Sequence, residues 1–223
     1  IAITNCLNFG SPENEENMGE FVECVQGLGE ASAYLEFPVV SGNVSFYNQT
    51  KDIGIKPTPV IGGVGLIKEF KNMITMDLKK IDNLILVIGK TEGHLDQSLF
   101  AREILNEKNG PPPEINLFNE KNNGETILKL IEKKFIKAAH DVSLGGIITS
   151  LSKMCIKGKK GVTLKKPKYL INQLEYLFGE DQGRYIIEIS KIDLENTAKI
   201  LQENSVHFDE LGSVNDDSLI IDD

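Results

Sequence analysis

The sequence predicts an α/β (α+β) chain: a strand-and-helix N-terminal part followed by an α/β sandwich. Three observations carry that expectation. After residue 84 short apolar strands alternate with amphipathic helices, the pattern of layered α/β and α+β domains. Before residue 70 a few apolar strands flank one long helical stretch. Between them, residues 72–82 are polar and lysine-containing, as domain boundaries tend to be. The expected domains are therefore 1–72 and 80–223.

Taken in order, residues 1–4 read as a short apolar strand and residues 5–12 as a polar turn containing Gly10. Ser11 before Pro12 fits an N-cap followed by proline at the first helical position. Glu13, Glu15 and Glu16 then suit the positive end of the helix dipole. Met18, Phe21, Val22, Val25 and Leu28 recur at spacings of three and four, which predicts a helix over 13–35 with one buried face. Gly27 and Gly29 weaken it by about 1 kcal/mol each unless they permit close packing. Residues 37–40 and 44–47 read as strands interrupted by Ser41-Gly42-Asn43. Pro57-Thr58-Pro59 precedes a strand over 60–67, where Gly62, Gly63 and Gly65 suggest close backbone approach or a barrel lining.

In the second part, strands are expected at 84–88, 135–139, 162–164, 185–189, 208–213 and 219–221. Helices are expected at 96–105, 126–133, 146–154, 170–177 and 194–201, with a loop at 109–113. No tandem repeat at a solenoid period is present.

Composition narrows the function classes. Hydrophobic residues make up 40% and charged residues 26%, an ordinary globular balance. The apolar runs fall short of the roughly 18 residues that span a bilayer, and no signal-peptide pattern opens the chain. Cys6, Cys24 and Cys155 form no CxxC pair, so they read as reduced thiols in a cytoplasmic protein. A formal net charge of −9 disfavours nucleic-acid backbones, although helix N-termini still bind phosphates without net positive charge. The chain opens on Ile1 rather than methionine, which leads us to expect a fragment or a cleaved product.

Two segments hold concentrated polar chemistry. Ser41-Gly42-Asn43-Val44-Ser45 presents two hydroxyls, a carboxamide and a glycine that admits a phosphate or metal close to the backbone. Asn5-Cys6-Leu7-Asn8-Phe9-Gly10 leads into a helix N-terminus. Each, taken singly, reads first as a polar turn. Their order and separation say more. TNCLNFGSPE, a helix of about 20 residues, PVVSGNVSFYN and then PTPVIGGVGLI resemble the second half of phosphoribosylformylglycinamidine synthase (formylglycinamide ribonucleotide amidotransferase) synthetase subunits. AAHDVSLGGI and LFGEDQGRYIIEI continue the likeness more weakly.

That resemblance implies a duplicated protein in which each half pairs an ATP-binding-type N-domain with an α/β C-domain, and the N-domains together form a barrel. This chain corresponds to the tail of an aminoimidazole-ribonucleotide-synthetase-like N-domain and the C-domain that follows. By position, Asn5 and Gly42 would contact ATP, Asn43 would join a Mg²⁺ site, and Ser45 would touch formylglycinamide ribonucleotide. The implied activity is an ATP-dependent carbon–nitrogen ligation of purine biosynthesis. ATP activates the formamide oxygen, and glutamine-derived ammonia displaces phosphate to give the amidine. The implied partners are a glutaminase subunit, a small accessory subunit and the N-terminal half of the same protein; nucleic acid and membrane are not expected. An inactive assembly module, or another synthetase of the superfamily, is the alternative.

Three positions depart from the pattern: Asn5 where aspartate is frequent, Gln49 for glutamate, and Leu144 for aspartate. The last two weaken the case for a second nucleotide–metal site in the C-domain. His140-Asp141 reads as a packed histidine beside a helix cap, with Asp141 or Ser143 capping and Gly145-Gly146 open to an anion. Gly179-Glu180-Asp181 with Arg184 reads either as a phosphate or metal contact or as a solvated turn with a local salt bridge. His94 and His207 read as surface or packing residues, and Asp222-Asp223 as a solvated end.

Overall fold

A strand whose residues are all buried must be covered on both faces, and Leu84–Ile88 (β6) is such a strand in the computed structural model, which describes residues 1–167 and 172–221. The chain divides into two compact units, 1–68 and 69–223.

In the second unit β6 sits inside a six-stranded sheet. The other strands are Ile136–Asp141 (β7), Gly161–Leu164 (β8), Tyr185–Ile189 (β9), Phe208–Asn215 (β10) and Leu219–Ile221 (β11), in the order β11-β8-β10-β6-β9-β7. Every neighbouring pair is antiparallel except β11 with β8. Period-2 alternation splits β6 between two cores. Ile85 and Val87 pack with Ile147, Leu151 and Met154 of Gly146–Gly158 (α3), and with Tyr176 and Leu177 of Gln173–Phe178 (α4). Leu84, Leu86 and Ile88 pack with Ile127 and Leu130 of Leu117–Glu132 (α2), and with Leu201 of Leu194–Glu203 (α5). Each such fully buried aliphatic side chain stabilises the fold by about 1.5–3 kcal/mol. The result is the α/β sandwich that the alternation predicts.

One strand residue breaks the apolar pattern. Glu188 in β9 is fully buried. Its carboxylate accepts from the Lys79 and Lys80 backbone N–H groups (2.7 and 3.0 Å) and from Asn83 Nδ2 (2.6 Å). It thereby fastens the segment that leads into β6, and its own burial is compensated by charge-assisted bonds.

The first unit has the strands Ala2–Asn8 (β1), Val39–Ser45 (β2), Gln49–Thr50 (β3), Ile53–Gly54 (β4) and Thr58–Val64 (β5), with the helix Glu15–Leu35 (α1). β1 is central, parallel to β2 and antiparallel to β5; β3 and β4 form a separate small hairpin. Phe21 on α1 stacks edge-on between Phe9 (centroids 5.3 Å) and Phe46 (5.0 Å), which holds the helix to the strand ends.

Several expectations change. The turn expected at 5–12 is strand through Asn8, and Ser41-Gly42-Asn43 continues β2 without interruption, because both stretches complete ladders with β1 at the centre. Ser11 accepts from Glu13 N (3.3 Å), but the N-cap is Asn14, which accepts from Asn17 N (3.1 Å). The stripe expected to be buried on α1 is not: Met18, Val22 and Val25 stay 40–42% exposed, and Gly27 and Gly29 face open space. The helix expected at 96–105 contains a π-helical segment, Ala101–Leu105. Ser98 Oγ and Glu180 divert the Ala101 and Leu99 N–H groups from a regular first turn. The expected helix 170–177 begins partly outside the described residues, as does the end at 222–223; α4 itself starts at Gln173.

Replacing Glu188 with alanine leaves three donors in or near the interior without an acceptor, at about 1–3 kcal/mol for each buried group. We expect Glu188→Ala to lose roughly 3 kcal/mol in urea denaturation, and Glu188→Gln to lose clearly less. Equal loss in both variants would contradict the role of the carboxylate as acceptor.

Candidate functional site

Asn5, Gly42, Asn43 and Ser45 all fall in the parallel β1–β2 ladder, where Asn5 pairs Gly42, Cys6 pairs Asn43 and Asn8 pairs Ser45. Consecutive strand residues point to opposite faces. The ladder therefore brings the four together in sequence register but divides them between two faces. Asn5 lies over Gly42 on one face: a Cβ at Gly42 would stand 2.7 Å from Asn5 Cγ, so the glycine is what lets the carboxamide lie flat across β2. Asn43 and Ser45 share the other face with Thr4, Cys6 and Asn8.

Most polar groups on that second face are engaged within the unit. Ser41 Oγ donates to Thr4 Oγ1 (2.7 Å), Thr4 Oγ1 donates to Ser41 O (3.0 Å), and Asn8 Nδ2 donates to Thr58 O (3.2 Å). Ser45 Oγ meets the Asn48 carboxamide at 3.1–3.2 Å. Asn48 Nδ2 also donates to Ser45 O (2.8 Å) and Phe9 O (3.1 Å). Asn48 is thus the clamp joining the ends of β1 and β2. Sequence reading overlooked it; the available signal was an asparagine three residues after a strand-ending serine, a spacing that suits side-chain-to-backbone bonding. By contrast, the carboxamides of Asn5 and Asn43 make no hydrogen bond among the described residues. Two uncommitted amides on one ladder are donors and acceptors for a ligand.

The donor chemistry also limits any metal. Asn43 Oδ1 suits a hard cation such as Mg²⁺ as one neutral oxygen ligand. Among the described residues no group of three or more His, Cys, Asp or Glu side chains could hold an ion. Nearby, the Tyr47 hydroxyl donates to Glu13 Oε1 (3.3 Å), and the Glu13 charge and that bond push the phenol pKa upward.

In the second unit, the segments for which a phosphate contact is one alternative have their backbone N–H groups bonded by the chain itself. Neither Asp141 nor Ser143 caps α3 through its side chain; the cap is Gly145, at φ 82°. Glu180 Oε1 accepts from Gly145 N (2.8 Å) and also from Leu99 N (2.7 Å). Asp181 accepts from the consecutive N–H groups of Glu92, Gly93 and His94 at 3.0–3.1 Å, the concave backbone arrangement that binds anions. Arg184 is 2% exposed. It donates to Gly179 O (2.7 Å), Asp181 O (3.2 Å) and Thr91 Oγ1 (3.1 Å), and stands 3.4 Å from the Asp181 carboxylate. Burial lowers the guanidinium pKa and Asp181 opposes that shift. The turn is therefore buried rather than solvated, and its local salt bridge is a buried ion pair with three further hydrogen bonds from Arg184.

His140 Nδ1 bonds the Asp141 carbonyl (2.6 Å) and lies 3.1 Å from its carboxylate, with the ring nearly buried. That is a local, packed arrangement. His94 Nε2 bonds Pro111 O (3.0 Å), and His207 Nε2 bonds Asp209 (3.0 Å). Cys6, Cys24 and Cys155 are free thiols. Among the described residues no helix is long and apolar enough to cross a membrane.

Two family descriptions match the chain: AIR synthase related protein, N-terminal domain, over residues 1–67, and its C-terminal domain over 80–222. The phosphoribosylformylglycinamidine synthase subunit PurL of Pelagibacter ubique is 90% identical over 223 residues, which is 100% of this chain and 30% of the relative. The same subunit of Bartonella henselae is 43% identical over 221 residues, covering 99% and 30%. The chain thus spans about 30% of the length of the curated relatives it matches. Among solved structures, Thermotoga maritima PurL complexed with FGAR superposes with a TM-score of 0.73 at 18% identity, covering 96% of this chain and 35% of that one. The hydrogenase maturation protein HypE gives 0.67 at 16% identity, covering 96% and 68%. These likenesses establish the fold.

We expect Gly42→Ala to cost about 1–3 kcal/mol, the usual range for overpacking, and a second change, Asn5→Ala, to recover most of that loss. Equal instability of the single and double variants in thermal unfolding would show that Asn5 is not what requires the glycine.

Proposed function

The chain belongs to the AIR synthase related protein family, and on that premise we propose that it is part of a phosphoribosylformylglycinamidine synthase. The observation that carries the proposal is 90% identity along all 223 residues to a subunit of that name. The enzyme would be an ATP-dependent carbon–nitrogen ligase of purine biosynthesis, working in the cytoplasm. It would convert formylglycinamide ribonucleotide and glutamine-derived ammonia into the amidine. Residues 1–72 would form the end of an ATP-binding-type domain and 80–223 the α/β domain after it.

The geometry lends this reading specific roles. The Asn5 carboxamide and the Gly42 backbone beneath it share a face and would contact ATP. On the other face, Asn43 would donate one oxygen to Mg²⁺, which when bound neutralises phosphate charge. Ser45 would contact the ribonucleotide, oriented by Asn48. These groups position and polarise ligands, as phosphoryl-transfer sites require. The exposed stripe Met18–Val22–Val25 supports pairing of this unit with further polypeptide, which we assign to the N-terminal half of the same protein. A glutaminase subunit and a small accessory subunit would complete the assembly; one of the solved relatives is the PurLQS structure from T. maritima.

A second reading is an assembly module without activity of its own; among the described residues no group of three or more His, Cys, Asp or Glu side chains could hold an ion. The two readings meet in one prediction. The 223-residue chain alone, given ATP, Mg²⁺, ammonia and formylglycinamide ribonucleotide, should release no amidine product; measurable turnover would overturn the proposed division of labour.

In the full-length protein, Asn5→Ala should weaken ATP binding about tenfold, the worth of one hydrogen bond to a charged group, with the melting temperature unchanged. Ser45→Ala should raise the KM for the ribonucleotide, whereas Asn48→Ala should lower the melting temperature as well. A Ser45→Ala protein that melts early yet keeps its KM would leave Ser45 with a structural role only.

A further inference from the structure

A lysine-rich groove lies far from the β1–β2 ladder in sequence. This groove, of about 620 Å³, runs between the segment leading into β6, the α2–β7 turn and the short helix Lys191–Asp193. Lys71, Lys79, Lys80, Lys134 and Lys137 line it, against a single carboxylate, Asp193, in a chain whose net charge is −9. Lys71, Lys79 and Lys137 each have one acidic neighbour, at 3.1, 2.6 and 3.4 Å. The ammonium groups of Lys80 and Lys134 have none among the described residues.

The floor is aliphatic. Ile136 is buried, Ile74 and Ile131 are partly buried, and Ile192 is 83% exposed. A small phosphate would find little here. No arginine lines the groove, and the Lys79 and Lys80 amides, which could have cradled an anion, are held by Glu188. A nucleic-acid backbone would satisfy the lysines and leave the isoleucines in water. A segment carrying carboxylates at its edges and aliphatic side chains between them satisfies both surfaces.

We propose that this groove docks an acidic segment with aliphatic anchors, supplied by a separate partner polypeptide. The lysine rim sets approach and orientation, and the isoleucine floor supplies the buried contact.

The test uses the full-length protein and a short fluorescein-labelled peptide of alternating glutamate and leucine, followed by anisotropy. Binding should weaken about tenfold in Lys80→Glu/Lys134→Glu and fall as salt is raised, since charge at a rim is screened over a Debye length. The neutral variant Lys80→Gln/Lys134→Gln should lie between, with an unchanged melting temperature showing that the fold is intact. An all-glutamate peptide should bind more weakly than the mixed one. The proposal is overturned by equal binding to wild type and the charge-reversed variant, or by an all-glutamate peptide that binds as well. Displacement of the peptide by tripolyphosphate at similar concentration would also overturn it, by making the groove a phosphate site. Failure to bind, with Lys80 and Lys134 protected from acetylation, would do so too, by showing that the protein's own chain covers the groove.

Discussion

Backbone amides that cannot reach a regular ladder still need acceptors, and in the second unit three carboxylates meet that need. Glu188 holds the amides of residues 79 and 80, Asp181 those of 92–94, and Glu180 those of 99 and 145. Donors that become buried where a loop meets a sheet covered on both faces lose water and need acceptors within the protein. The apolar cores give the bulk of the driving force. The carboxylates decide that the connections between β6, α3 and β9 close in one way.

The first unit solves a different problem. Its central strand is polar at Thr4, Asn5 and Asn8, which would be costly in a closed core. Both faces of the ladder nevertheless put those residues to use: one face ties itself together through Thr4, Ser41, Asn8 and Asn48, and Asn5 and Asn43 are left with unused bonding capacity. The side chains that tie the two strands together are thus largely distinct from those left with free bonding capacity.

What was legible in the sequence follows from these physical roles. Strands at 84–88, 185–189 and 219–221 were readable to the residue, because runs of Ile, Leu and Val between polar breaks suit little else. β1 and β2 were read too short, since Asn and Gly favour turns locally and only the neighbours on either side hold them extended. The first half of α2, Leu-Phe-Asn-Glu-Lys-Asn-Asn-Gly, has weak helix propensity, and its start depends on the Asn116 cap bonding Asn119 N (3.0 Å). At the candidate site the order of motifs was legible; the division of Asn5 from Asn43 and Ser45 between two faces was not. A motif states which residues recur, whereas facing depends on whether the glycine-containing segment is turn or strand. Glu180, Asp181 and Arg184 form a charged cluster visible in the sequence, but the burial of Asp181 and Arg184 is a tertiary fact that no local pattern encodes.

The single oxygen of Glu180 that accepts from both Leu99 and Gly145 also has a bearing on time. Those amides lie 81 and 35 positions before it in the chain. Neither the loop before Ala101 nor the first turn of α3 can be pinned until the stretch after α4 has arrived, and closure over such separations comes late because its entropy is lost before the bonds return it. During synthesis both segments would already be made while their shared acceptor was still awaited.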